Sequence, residues 1–305
     1  MRSCPTSAHR SRTTPLHRAN LQAFRRASGA LLASLPVEIA IERGFAAIPE
    51  GVVHYAAAGS GDPVLLLHQT PRSWDEYSDV LPLIGRRRRA IAMDTLGFGD
   101  SRPVRDGPPS IERWAAATIA LLDALSLDRV AVVGHHTGAF IAVELAAAYG
   151  DRVSAVVLSS LGLADPEERL AHATGRAVVD DVPRSDDGSH VLELWRLRAS
   201  FYPPGRPDLL ERFLVDALRA GELAGEGHRV VARYDVEPRL REVDCPVLLV
   251  GATDDPHSYP SLPRLRSLLP NAQVARIEGG TVPLPDGHPE QFAAAVERFL
   301  DTLPG

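Results

Sequence analysis

Short, wholly apolar runs punctuate the chain from residue 39 onward. Val64 to Leu67, Ala90 to Met93, Val130 to Val133, Ala155 to Leu158 and Val247 to Val250 each read as a strand buried on both faces. Helical stretches lie between them, such as Ile111 to Leu125 and Ala139 to Tyr149. Strands alternating with helices predict an α/β architecture with a doubly wound, mostly parallel sheet. Ligands of such sheets bind beyond the carboxyl ends of the strands, so chemistry is sought just after each apolar run. Residues 163–232 break the alternation. They carry helical patterns at Val191 to Phe201 and Pro207 to Ala220, loop signals at Asp186-Asp187-Gly188 and Pro203-Pro204-Gly205, and no strand run. This segment is expected to be a helical cap over the active edge of a core made of residues 38–162 and 233–305.

Residues 1–37 contain no acidic side chain before Glu38 and are rich in Arg, Ser, Thr and Pro. They are expected to be a disordered extension. An apolar run from Ala30 to Leu35 follows Arg25 and Arg26, but it is too short for an export signal and stops at Pro36. The chain reaches nowhere near the roughly 18 consecutive apolar residues of a membrane span. Its 305 residues, 45% hydrophobic, suffice for one large core. The formal net charge of -6 offers no general attraction for nucleic acid or anionic membrane. Arg86 to Arg89 lead straight into an apolar run and are expected to be a solvated strand entry. Cys4 and Cys245 make no disulfide framework, so a reducing cytoplasm is the simplest compartment. The histidines lack H-x-H or H-x-x-x-H spacing with carboxylates, so no metal is expected. Gly97-Phe98-Gly99 lacks the third glycine and following acid of a dinucleotide loop, so no cofactor is expected either. The partner foreseen is a small-molecule substrate, with a homodimer as an allowed assembly.

The most informative stretch runs from Val130 through Gly134-His135-His136-Thr137-Gly138 into Ala139 to Ala146. It is a strand, a sharp turn and a helix, with glycine two residues before and two after His136. Here the chain resembles the α/β-hydrolase family, with His136 in the central place of the G-x-S-x-G nucleophile elbow. Other segments resemble the family in the right order. His68-Gln69-Thr70-Pro71 is similar to its H-G-x-P oxyanion segment, with Gln69 in place of glycine. Asp94 through Gly97-Phe98-Gly99 to Ser101 is similar to its D-x-x-G-x-G-x-S turn. Gly251-Ala252-Thr253-Asp254 is similar to the segment that supplies the catalytic acid, and Pro289 to Leu300 to the closing helix. The resemblance spans about Gly44 to Leu303.

Two departures decide the expected chemistry. The elbow carries imidazole instead of a nucleophile. After the last strand, where the family has Gly-His-x-Pro, the chain reads Gly280-Thr281-Val282-Pro283, and a second Gly-His follows later at Gly287-His288. Either Thr281 stands in the histidine's place or His288 is a displaced base. An imidazole rooted at position 136 could fill the space of the usual ring, with Asp254, or alternatively Asp255, accepting its other N–H. Such a His-Asp pair could deprotonate water or an acidic substrate proton. The resemblance also implies an oxyanion hole from the backbone N–H groups of Thr70 and Thr137. Gln69 is expected either to point its amide into the pocket or to pack. Trp74 lies near the oxyanion segment and is the aromatic candidate for substrate contact, while His68 is expected to support the core. Three functions stay open: hydrolysis of a small carbonyl compound, cofactor-free proton abstraction in a lyase, isomerase or oxygenase, and ligand binding without catalysis.

Overall fold

The computed structural model describes residues 39–103, 107–174 and 179–303. The proposed extension over residues 1–37 lies outside them. Eight strands form one sheet: β1 (Ile41–Ile48), β2 (Gly51–Ala58), β3 (Pro63–Leu67), β4 (Arg89–Met93), β5 (Val130–His135), β6 (Val153–Ser159), β7 (Val247–Ala252) and β8 (Gln273–Ile277). Their spatial order is β1-β2-β4-β3-β5-β6-β7-β8. The hairpin of β1 and β2 runs antiparallel, and every pairing from β4 through β8 is parallel.

Alternation along the strands divides the core into two layers. Leu65, Leu67, Ile91, Met93 and Val132 face one side, where they meet Trp114 of α2 (Ile111–Ala124) and Phe140 and Leu145 of α3 (Thr137–Ala148). Val64, Leu66, Ala90, Ala92 and Val133 face the other side. There they meet Val80 and Ile84 of α1 (Val80–Gly85) and Phe292 and Val296 of α11 (Pro289–Leu300). Helix α3 is apolar nearly all round because it is enclosed nearly all round. Its one acid, Glu144, is matched by the Tyr234 hydroxyl at 2.5 Å and the Arg239 guanidinium at 2.9 Å.

Between β6 and β7 the chain is helical: α4 (Pro166–Ala173), α5 (Ser189–Arg198), α6 (Pro207–Ala220), α7 (Leu223–Arg233) and α8 (Val236–Leu240). Leu194, Tyr202, Leu209 and Phe213 give this segment a small apolar core of its own. Two short further helices, α9 (Leu262–Leu268) and α10 (Leu284–Gly287), complete the chain. Among the described residues no helix is long and apolar enough to cross a membrane.

Candidate functional site

The strand register brings three loops to one edge. Leu67 of β3 lies opposite Gly134 of β5, so the 68–71 segment and the elbow leave the sheet side by side. β7 ends at Ala252 and delivers Asp254 and Asp255 to the same edge. The elbow is as tight as its sequence suggests. A Cβ on Gly134 would come 2.2 Å from the carbonyl oxygen of Gly138, and one on Gly138 would come 1.9 Å from that of Leu67. His136 adopts φ 44° and ψ -113°, a sparsely populated region for a residue with a side chain, costing about 1–3 kcal/mol. Its N–H donates to Ser159 O at 3.0 Å and its carbonyl accepts from Ala139 N at 2.8 Å, so the surroundings hold the strained turn.

The His136 ring meets Asp255. Nε2 lies 2.9 Å from Asp255 Oδ2, with the ring one-fifth exposed and the carboxylate buried. The N–H direction is off the line to that oxygen, so the contact is a close approach and not a well-aligned hydrogen bond. Catalytic hydrogen bonds are often loose before substrate arrives. Nδ1 has no protein partner among the described residues. Asp255 is itself fixed by Ser258 Oγ at 2.5 Å and by the backbone N–H of His257 at 2.9 Å. Burial opposes its charge, but contact with His136 and these donors hold the carboxyl well below the usual range.

Asp254, the acid expected from the sequence, is not brought to the ring. Its side chain is exposed and accepts from Thr253 Oγ1 at 3.1 Å. The turn after β7 sends residue 254 outward and residue 255 inward. His288 is likewise elsewhere: it precedes α11, and its Nε2 lies 3.2 Å from Gly279 O at an exposed position. Thr281 sits in the loop after β8 with its hydroxyl buried and without a partner among the described residues. The next residue, Val282, accepts from His135 Nε2 at 2.8 Å, so this loop does reach the elbow. The other His135 nitrogen meets Ser159 Oγ at 3.0 Å. His135 is therefore saturated and enclosed, and burial first, then the nearby His136, pushes its pKa well down.

The oxyanion segment takes an unforeseen form. Thr70 N–H donates to Thr137 Oγ1 at 3.2 Å, while Thr137 opens α3 as its first residue. Gln69 needs no left-handed backbone, since it is absent from the positive-φ residues. Its amide is tied down by Glu76, with Nε2 to Oε1 at 2.6 Å and the backbone N to Oε2 at 2.9 Å. Glu76 is buried, and burial raises its pKa to about 8. His68 bridges Gln69 O (2.8 Å) and Thr95 N (2.9 Å). Trp74 does not line the cavity. Its N–H donates to Asp94 at 2.7 Å, and the Arg43 guanidinium lies 5.1 Å from its ring. Nearby, His54, Asp94 and Asp100 cluster closely enough to suggest a metal. Their ligand atoms are already engaged: His54 Nδ1 meets Asp94 and its Nε2 accepts from Arg43, Asp94 accepts from the backbone N–H groups of Trp74 and Asp100, and Asp100 accepts from Arg43 and Arg219, so the cluster braces the 94–101 turn.

A buried cation joins the helical segment between β6 and β7 to the rest of the fold. Arg72, fully enclosed, approaches Asp216 of α6 at 3.3 Å, Asp286 of α10 at 3.2 Å and Asp75 at 3.2 Å. Burial raises the pKa of both Asp216 and Asp286 to about 6, against the pull of Arg72. A cavity of about 420 Å³ is lined by Gln69, Thr70, His136 and Thr137 and by Arg198, His228 and Tyr234 from the segment between β6 and β7. No motif marked the latter three. They lie in ordinary amphipathic helix patterns, where a pocket-facing side chain looks like any other half-buried one.

Comparison with known proteins agrees with this geometry. Residues 62–282 match the model of the alpha/beta hydrolase fold family. Haloalkane dehalogenase 2 of Mycobacterium tuberculosis is 28% identical over 271 residues, covering 82% of this chain and 92% of that protein. A 2-hydroxy-6-oxononadienedioate/2-hydroxy-6-oxononatrienedioate hydrolase of Paraburkholderia xenovorans is 29% identical over 217 residues, 67% of this chain and 74% of its own. The match to the 2-hydroxy-6-oxo-2,4-heptadienoate hydrolase of Pseudomonas putida is 36% identical but spans only 37% of that protein's length. Among solved structures, the enol-lactonase from Burkholderia xenovorans superposes with a TM-score of 0.67 at 21% identity, over 85% of this chain and all of that one. With the sheet order, the elbow and these matches in agreement, the chain belongs to the α/β-hydrolase family.

Proposed function

We propose that this protein is a hydrolase of a small carbonyl compound in which His136, paired with Asp255, activates water directly. The observation that carries the reading is the 2.9 Å approach of the elbow imidazole to a buried, low-pKa carboxylate. An imidazole with one nitrogen against a carboxylate has its other nitrogen free to accept a proton, and the carboxylate stabilises the imidazolium that results. Water that gives this proton to Nδ1 becomes the nucleophile, so no covalent enzyme intermediate forms. The backbone N–H of Thr137 at the start of α3 is the donor available to the developing oxyanion, aided by the helix dipole. Thr70 N–H can join it by releasing Thr137 Oγ1. The hydrolase relatives support a small organic substrate, and a cavity of about 420 Å³ suits one.

The same base also serves abstraction of a proton from a carbon acid. The absence of a hydroxyl, thiol or carboxylate at the elbow favours that second reading to the same degree, and ester turnover separates the two. Wild-type protein is expected to hydrolyse 4-nitrophenyl acetate slowly and to remain active after a serine-directed phosphonate. His136→Ala should lower kcat/KM on the order of a hundredfold or more. Full activity in that variant, or inactivation by the phosphonate, overturns the reading.

A further inference from the structure

The cavity holds a second histidine–aspartate pair that the elbow chemistry leaves unused. His228 lies on α7 in the cap and lines the cavity. Its Nε2 is 2.7 Å from Asp180 Oδ2. Asp180 is buried and also receives Arg198, whose Nε donates to Oδ1 at 2.6 Å and whose Nη2 grips Oδ2. Burial works against the Asp180 charge, but Arg198 and His228 hold its carboxyl down at about 2. The Arg198 guanidinium is itself held between Phe213 and Phe201, 4.9 and 5.5 Å from their ring centres. Asp180 is thus an ionised, oriented acceptor. It faces His228 Nε2, which also lies 3.2 Å from Arg198 Nη2. His228 Nδ1 has no protein partner among the described residues.

Position matters as much as pairing. The residue before His228 is Gly227, and a Cβ there would come 2.2 Å from Thr70 Cγ2. This turn of α7 therefore rests directly on the oxyanion segment, and His228 is anchored one Cα step, about 3.8 Å, from that contact. His257, in the loop after β7, has its pKa lowered by burial against the pull of Asp255, and His136, Arg198 and His228 lower it further. One side chain thus lies within electrostatic range of both histidine–aspartate pairs.

We propose that His228, oriented by Asp180, is a second catalytic acid–base group of this cavity and protonates the leaving atom of the substrate. The proposal rests on the reading of His136 as base. Water gives a proton to His136 Nδ1 as its oxygen bonds to the carbonyl carbon. The carbonyl electron pair moves to the oxygen facing Thr137 N–H. When that pair returns, the bond to the leaving oxygen breaks, and its electrons take the proton from Nδ1 of the doubly protonated His228 ring, which keeps its Nε2 hydrogen toward Asp180. One proton is then on His136 and one is missing from His228, and exchange with solvent restores both.

The test compares 4-nitrophenyl acetate with benzyl acetate, which share an acyl group. The first releases a stabilised phenolate that needs little protonation. The second releases an alkoxide that needs it fully. His228→Gln should widen the ratio of their kcat/KM values by roughly a hundredfold. Along a series of acetate esters whose leaving alcohols grow more basic, wild-type kcat/KM should fall only shallowly, and a steep fall overturns the role of His228; this second measurement needs no variant to fold. A His228→Gln variant that lowers both esters equally, or leaves both unchanged, overturns it as well. An inactive wild-type protein, or an active His136→Ala, instead overturns the base reading beneath it.

Discussion

Replacing Asp255 by asparagine tests the pairing that sets this site apart from its sequence pattern. The change keeps the size of the side chain and an oxygen for the His257 N–H, but removes the charge facing His136. At an effective dielectric of about 20, two unit charges about 4 Å apart interact by about 4 kcal/mol. The His136 ring is 20% exposed in its side chain, so solvent screens part of this. About 2–3 kcal/mol of the imidazolium stabilisation is then lost, or roughly a 30- to 150-fold fall in kcat/KM. The exposed neighbour provides the internal control. Asp254→Asn touches only the Thr253 hydroxyl and should stay within about threefold of wild type. Initial rates on 4-nitrophenyl acetate, with melting temperatures recorded for both variants, decide the matter. If Asp254→Asn suffers the larger loss while Asp255→Asn is folded and active, the inward–outward assignment of the two carboxylates is wrong.

Three further outcomes follow from the elbow. His136→Ser alone should remain a poor esterase, because Thr281 supplies no base. His136→Ser with Thr281→His should recover phosphonate-sensitive hydrolysis, and an inert but folded double variant refutes the placement of the 280–283 loop beside the elbow. Gly138→Ala drives a Cβ against the Leu67 carbonyl, 1.9 Å away, and should destabilise the protein by more than about 3 kcal/mol in urea unfolding; a loss under about 1 kcal/mol contradicts the tight elbow.

Much of the core was legible because buried parallel strands write themselves as apolar runs. All five runs named from the sequence fall within β3, β4, β5, β6 and β7. The three strands missed are those with weaker patterning. β1 is half exposed at the sheet's edge, β2 is rich in alanine, and β8 is an edge strand reading Gln-Val-Ala-Arg-Ile. Glycines 134 and 138 announced the elbow because close backbone approach permits no Cβ there, a local constraint that survives in any sequence adopting the turn.

What sequence alone determined, then, was the class of fold, the elbow and the anomaly of His136 at its tip, since each depends on periodicity or on contacts between near neighbours. Tertiary structure alone decided which acid lies against that histidine. Asp254 and Asp255 are adjacent and chemically equivalent in the sequence, and only the turn, tied by Asp255 to Ser258 and His257, sends one inward. The same holds for Gln69, whose amide is claimed by Glu76, and for Trp74, which the packing turns toward Arg43. It holds most of all for Asp180, Arg198 and His228, separated by 18 and 30 residues along the chain. Their meeting depends on how cap helices fold back on one another, a long-range packing outcome that leaves no periodic trace in the sequence.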